Sequence, residues 1–149
     1  MKKEVIKVAV VGVGNCFSSL YQGLEYYREH KGENIPGVMF ADIGGYRTSD
    51  IDVVATFDVD PRKVGKATGE AIFAQPNCAR VFQEKVPAGP TVQMGHPLDG
   101  VSDYMLEQPE EFGFRIAKVK PVDVVKVLKD SKADILINYL PVGSQEATE

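Results

Sequence analysis

Two glycines separated by a single residue form the clearest chemical motif of the chain. Gly12 and Gly14 follow the β-branched run Val5–Val11 and precede residues with helical spacing. In such a turn the first glycine permits a tight bend, and the second lets the backbone approach an anion at the N-terminus of the helix. Asn15 and Cys16 occupy the start of that helix. We therefore expect Gly12, Gly14, Asn15 and Cys16 to contact the pyrophosphate of a dinucleotide.

The third small position of the pattern G-x-G-x-x-G is taken by Phe17. A ring at this place predicts that the helix is pushed outward or that the ring turns away from the sheet. An ordinary turn between a strand and a helix, with no ligand, therefore stays open as an alternative.

A carboxylate comes at the end of the next apolar segment. Asp58 lies in the predicted strand Asp52–Asp60, which Pro61 ends. A carboxylate there accepts hydrogen bonds from the adenosine ribose and repels a 2′-phosphate, so it predicts NAD rather than NADP. The usual separation from the glycines is about 20 residues, and the expected insertion loop Gly32–Asp50 lengthens it. A turn-stabilising carboxylate remains the alternative for Asp58, and Asp60 is expected to cap the following helix.

A second glycine-containing turn begins at the end of the last predicted strand. It contains Leu140, Pro141, Gly143 and Ser144. Ligands of open α/β sheets bind outside the carboxyl ends of the strands, so we expect these four residues to contact the cofactor. The N–H groups of Gly143 and Ser144 would face an anion. A serine that only caps the next helix is the alternative.

The remaining polar residues suggest no further chemistry. Cys16 has no histidine placed as its base, so we expect it to be a small polar contact rather than a nucleophile. His30 and His96 lack the spacing of metal ligands, and no metal site is predicted. Lys63 and Lys66 are expected on the solvated face of a helix. The catalytic residues are not identified.

The elements that must position these residues alternate between strand and helix. The predicted strands are Val5–Val11, Asp52–Asp60, Thr91–Met94 and Ala133–Leu140, and the predicted helices run from the glycine turn to Lys31-Gly32, from about Arg62 to Phe73, and onward from Pro121 as first helical residue. Val124, Val125 and Leu128 form the expected buried stripe of the last helix. The last strand is expected to be buried. This alternation predicts an α/β fold with a mostly parallel sheet and flanking helices.

Composition limits the function classes. The 149 residues suffice for one domain, 44% of them are hydrophobic and 26% charged, and the net charge is −4. The chain therefore lacks the basic footprint of a nucleic-acid-binding protein. No apolar run reaches the roughly 18 to 20 residues that span a bilayer, and no signal-peptide pattern is present, so we expect a cytoplasmic protein without a membrane partner.

Several separated motifs resemble one family. They are Val10–Leu20, Phe57–Asp60, Leu98–Val101, Pro121–Val125 and Tyr139–Ser144. In this order they resemble the start of a prokaryotic myo-inositol-1-phosphate synthase. The resemblance implies NAD as cofactor and the conversion of glucose 6-phosphate to inositol 1-phosphate by internal oxidation at C5, aldol cyclisation and reduction.

The resemblance also implies what this chain lacks. Family members are more than twice as long, and their second half supplies the catalytic lysines and the oligomerisation domain. Residues 1–149 are therefore expected to be the N-terminal, NAD-binding Rossmann-type portion of a homo-oligomeric enzyme, with a sheet that is incomplete at its C-terminus and no activity alone. Two alternatives remain: a fragment of an NAD-dependent sugar or amino-acid dehydrogenase, and a non-catalytic module that binds NAD or ADP-ribose.

Overall fold

The computed structural model describes residues 5–30 and 35–149. Within this part of the chain one sheet is formed by the strands Ile6–Val11 (β1), Ile51–Asp58 (β2), Val92–Met94 (β3) and Ile135–Asn138 (β4). Their order is β3-β2-β1-β4, and every neighbouring pair is parallel. The carboxyl ends of the strands therefore share one edge of the sheet. The predicted α/β class with a mostly parallel sheet is confirmed.

Helices cover both faces of the sheet. They are Asn15–Glu29 (α1), Thr68–Ala71 (α2), Asp103–Glu107 (α3), Val124–Ser131 (α4) and Gln145–Thr148 (α5), and short 3-10 turns occupy Thr48–Asp50 and Leu98–Gly100. Along β1, Val8 and Val10 face the α1 side, whereas Ala9 faces the α4 side. This alternation follows from the two-residue period of a strand and gives the sheet two apolar faces.

Helix α1 agrees with the sequence pattern that follows the glycine turn. Helix α1 begins directly after the glycine turn and is buried through Phe17, Tyr21 and Leu24. The Phe17 ring is fully buried, and its centroid lies 5.5 Å from that of Tyr21. The ring thus packs within the core of the α1 side. The predicted helix end at Lys31-Gly32 lies outside the described residues, and α1 ends at Glu29.

The predicted helix from Arg62 to Phe73 is wrong in its first half. Gly65 has φ +84° and donates its N–H to the carbonyl of Val92, so the backbone leaves the helical path there. The helix is limited to Thr68–Ala71. Lys63 does not lie on a solvated face as predicted, because its side chain is fully buried.

The helix after β3 also begins later than predicted. Pro121 precedes α4, and Asp123 is the N-cap, accepting the N–H of Lys126 at 2.9 Å. Val125 is exposed, so its prediction as a buried residue is wrong. Val127 instead joins Val124 and Leu128 against the sheet.

Two strands differ from their predicted form. β2 ends at Asp58 rather than Asp60, because the Asp58 carboxylate accepts the N–H groups of Val59 and Asp60. β4 was predicted to be buried, but it is an edge strand of the sheet, and Ile135 and Leu136 are both 49% exposed. Among the described residues no helix is long and apolar enough to span a membrane.

Candidate functional site

Gly12 lies where the turn after β1 closely approaches the turn after β4, at the carboxyl ends of the strands. It has φ +92° and donates its N–H to the carbonyl of Phe57 at 2.9 Å. A Cβ atom at this position would lie 2.8 Å from the carbonyl oxygen of Tyr139, directly after β4. Both the dihedral angle and the contact exclude a side chain, so Gly12 shapes the turn.

Gly14 differs from Gly12 in both respects. Its backbone is extended, with φ −97° and ψ −161°, and a Cβ atom would meet nothing within 4 Å. Its carbonyl accepts the N–H of Ser18, whereas its own N–H has no acceptor within residues 5–30 and 35–149. The turn therefore presents an unpaired N–H beside open space at the start of α1, which is the arrangement that binds anions.

Asn15 and Cys16 follow at the start of α1. The side-chain oxygen of Asn15 accepts the N–H groups of Cys78 at 2.7 Å and of Ala79 at 3.2 Å. Asn15 therefore fixes the loop at residues 78–79 beside the glycine turn. Cys16 is exposed at the same place. No group of side chains that could hold a metal ion occurs in the described part of the chain.

Asp58 is brought to the glycine turn although it is far away in sequence. Its Oδ2 accepts the N–H of Val13 at 2.8 Å, and its Oδ1 accepts the N–H groups of Val59 and Asp60. The turn-stabilising role is thus present in the structure. A carboxylate has about four lone-pair sites, so Asp58 keeps capacity for a further donor. Its predicted contact with a ribose remains a prediction.

Lys63 is the functional candidate that sequence patterns missed. Its Nζ donates to the carbonyl of Val13 at 2.6 Å and to Oδ1 of Asn77 at 2.9 Å. Burial lowers the pKa of Lys63, and the carboxylates of Asp58 and Asp60 oppose this shift. The Nζ of Lys63 therefore lies buried beneath the turn, held by two oxygen acceptors. A lysine in a polar segment carries no pattern that distinguishes such a position from the surface.

Asp60 does not cap a helix, which corrects the prediction. Its carboxylate accepts the N–H and Nε of Arg62 at 2.9 and 2.7 Å and the N–H of Arg115 at 3.0 Å. Burial raises the pKa of Asp60, but the hydrogen bonds from Arg62 and Arg115 outweigh it and lower the pKa below its ordinary value. Arg62 also donates to the carbonyl of Gly113. The ion pair of Asp60 and Arg62 therefore fixes the segment near residue 113 against the end of β2.

The turn after β4 engages several of its polar groups in hydrogen bonds within the protein. Leu140 donates its N–H to Oδ1 of Asn138 at 2.8 Å. Ser144 is buried, and both its N–H and its Oγ donate to the carbonyl of Pro141, at 3.2 and 2.7 Å. Ser144 therefore does not cap α5 with its side chain. Gly143, with φ +96°, is exposed.

A distant carboxylate caps α5 instead. Asp99 accepts the N–H groups of Glu146 at 3.0 Å and Ala147 at 2.9 Å. The hydrogen bond from Ala147 is the main cause that lowers the pKa of Asp99. Separated segments around Gly100 and Ser144 thus meet at the same edge. Sequence spacing alone does not reveal this pairing.

No protein-family model matches the chain. Sequence comparison nevertheless finds curated relatives that share one name. The chain is 46% identical over 143 residues to the inositol-3-phosphate synthase of Mycolicibacterium smegmatis, covering 95% of this chain and 38% of that protein. It is 44% identical over 148 residues to the inositol-3-phosphate synthase of Corynebacterium glutamicum, covering 99% and 39%. The chain spans about two-fifths of the length of these curated relatives.

Solved structures agree with the fold. The crystal structure of Ari2 has a TM-score of 0.75 and 36% identity, with 97% of this chain and 41% of that chain covered. A myo-inositol-1-phosphate synthase-related protein from Thermotoga maritima has a TM-score of 0.70, with 92% and 35% covered. At 21% identity the latter likeness concerns the fold alone.

Proposed function

We propose that this chain, which belongs to the inositol-3-phosphate synthase family, forms the NAD-binding part of such a synthase. The observation that carries the proposal is the Gly14 turn, where a backbone N–H without an acceptor among the described residues lies beside open space that a side chain would enter. Gly12 gives the turn its shape, and Asp58 fixes it to the end of β2. The three residues lie together at the edge of the sheet where open α/β folds bind ligands.

The residues of this edge suit different parts of the cofactor. Gly14, Asn15 and Cys16 lie where the pyrophosphate would meet the N-terminus of α1, whose partial positive charge favours an anion. Asp58 has acceptor capacity for the adenosine ribose, and its negative charge disfavours the 2′-phosphate of NADP. When bound, NAD supplies a hydride acceptor that later returns the hydride, so the overall reaction is an isomerisation.

The second turn has a different part in the proposal. Leu140, Pro141, Gly143 and Ser144 follow β4 at the same edge, next to Gly12. Several polar groups of this turn are engaged within the protein, so we propose that it borders the cofactor and excludes water, with Gly143 able to approach closely.

The proposed whole protein acts on a sugar phosphate. By its family we propose that it converts glucose 6-phosphate to inositol phosphate as a cytoplasmic homo-oligomer, without a nucleic-acid or membrane partner. The groups that catalyse the reaction are proposed to come from the parts of the relatives that this chain does not match. The present chain supplies cofactor binding.

The test is a titration of the chain with NAD and NADP, together with the variant Gly14→Val. NAD should bind more tightly than NADP. The branched side chain should occupy the phosphate position and weaken NAD binding by tenfold to a hundredfold, roughly the loss of one charge-assisted hydrogen bond. Calorimetry gives the affinities, and thermal unfolding checks the fold.

The matched control is Gly23→Ala in α1. A Cβ atom there is 3.9 Å from the Tyr27 ring, an ordinary contact, so affinity should not change. Equal affinities for the two cofactors would remove the ribose role of Asp58. Unchanged NAD affinity in a folded Gly14→Val chain would refute the proposed phosphate site.

A further inference from the structure

Val13, the residue between Gly12 and Gly14, has both its backbone N–H and its backbone carbonyl hydrogen-bonded. Its N–H donates to Asp58, and its carbonyl accepts from Lys63 at 2.6 Å and from the side-chain amide of Asn77 at 3.2 Å. Its own side chain is fully buried. Two donors on a single carbonyl, one of them a buried ammonium, define the direction of this peptide unit.

The direction of the Val13 carbonyl determines that of the next N–H. The peptide bond between Val13 and Gly14 is trans, and in a planar trans peptide the N–H points opposite to the carbonyl. The carbonyl faces Lys63 and Asn77 beneath the turn, so the Gly14 N–H faces away from them. It has no protein acceptor among the described residues.

We propose that Lys63 is a positioning residue for the cofactor phosphates, acting through the Val13 carbonyl to hold the Gly14 N–H toward the ligand. This inference rests on the proposed cofactor-binding function and adds a residue to it. Without the ammonium the Val13 carbonyl keeps only the longer hydrogen bond from Asn77, so the peptide unit is freer to rotate. Rotation would replace a donor by a carbonyl acceptor beside the phosphates, and the partial negative charge of the carbonyl oxygen would repel them.

A second consequence concerns charge. A buried cation is costly unless it is paired, and the structure pairs this one with a carbonyl and an amide oxygen. Its positive charge lies beneath the turn, so it adds to the field of the α1 N-terminus. Both effects act on phosphate groups and leave a nucleoside without phosphates nearly unaffected.

The experiment compares two probes, ADP-ribose and adenosine, by NMR titration of the complete chain. Lys63→Met removes the ammonium and keeps an unbranched side chain. We expect the affinity for ADP-ribose to fall about tenfold, as for one hydrogen bond to a charged group, and the affinity for adenosine to change less than about twofold. The ligand-induced shift of the Gly14 amide signal should shrink in the same variant.

The matched control is Lys66→Met. Lys66 lies in the same turn but pairs at the surface with Glu70, at 3.0 Å. Its loss should leave both affinities at the parental value. Should Lys63→Met fail to fold, Asn77→Ala decides, since it removes the second donor to Val13. It should weaken ADP-ribose binding about threefold and spare adenosine.

Several outcomes would overturn the inference. Equal weakening of both probes, or parental ADP-ribose affinity in folded Lys63→Met, would show that the lysine stabilises the fold without positioning the phosphates. The same holds for equal or absent effects of Asn77→Ala if that variant decides. If the parent chain binds neither probe, the proposed function fails and this inference fails with it. Parental binding without a Lys63 effect refutes the inference alone.

Discussion

The two glycine-containing turns at the carboxyl ends of the strands differ in how their polar groups are hydrogen-bonded. In the turn after β1, the N–H and the carbonyl of Val13 are both hydrogen-bonded, and the N–H of Gly14 has no acceptor in the part of the chain that the structure describes. In the turn after β4, Pro141 accepts both donors of Ser144. Asp99 then accepts the next free N–H groups of α5.

This difference shows that a glycine turn before a helix is not by itself an anion site. The helix N-terminus attracts an anion through unpaired N–H groups, and a protein carboxylate that takes them removes the attraction. The helices differ as well. α1 has fifteen residues, and several of them are buried in the core. α5 has four residues, and none of them is buried. The phosphate-binding role should therefore belong to the first turn.

The largest expected effect on stability concerns the buried side chain of Phe17 in α1. Phe17→Ala would remove a fully buried ring from the core of the α1 side. We expect a loss of about 3 to 5 kcal/mol in the free energy of unfolding, typical of such a cavity. Urea unfolding measures it. Val142→Ala, an exposed residue of the second turn, is the control and should change stability by less than about 0.5 kcal/mol. A loss below about 1 kcal/mol for Phe17→Ala would contradict the anchoring of α1.

A smaller effect separates the two glycines of the first turn. Gly12→Ala places a Cβ atom 2.8 Å from the Tyr139 carbonyl oxygen at φ +92°, so the variant should lose about 2 to 3 kcal/mol of stability. Gly14→Ala has room and an extended backbone, so its stability should stay within about 1 kcal/mol of the parent. Chemical denaturation of both variants gives the comparison. Equal losses would show that the first glycine is not the one that the neighbouring turn constrains.

The smallest effect is the pH dependence of the second turn. Hydrogen bonds, chiefly that from Ala147, lower the pKa of Asp99, so its contribution to stability is present above the ordinary carboxyl pKa. It is lost as the pH falls through the lowered pKa of the folded state. NMR titration should show the Ala147 amide signal moving with a midpoint below the ordinary carboxyl pKa. Asp99→Asn should abolish this step, and a midpoint above the ordinary value would be inconsistent with the cap.

The apolar patterns predicted the framework. The β-branched run before Gly12 and the helical spacing of Phe17, Tyr21 and Leu24 both lie where they were expected. A continuous apolar run indicates a strand covered on both faces, and the helical spacing indicates one buried face. The same reasoning failed for β4, whose composition resembles that of a buried strand. Its exposure depends on the absence of a further described neighbour at that edge, and composition does not carry that information.

The helix boundaries were less predictable because local and long-range hydrogen bonds compete. Around Gly65 a hydrogen bond to Val92, distant in sequence, interrupts the helix. Before α4, the carboxylate of Asp123 caps the helix and sets its start after Pro121. In both places a hydrogen bond sets the end of the helix. The cap at Asp123 is local, whereas the Val92 partner of Gly65 is known only from the tertiary structure.

The sequence by itself determined the α/β class, the glycine turn and the carboxylate at the end of β2, since these depend on period and residue type along a short stretch of chain. The tertiary structure decided what the polar residues do. It placed Lys63 beneath Val13, fifty residues away in sequence, and Asp99 on the N-terminus of α5. These roles arise because buried donors and acceptors must find partners wherever folding brings them. The partners lie on different elements, so no local sequence pattern predicts them.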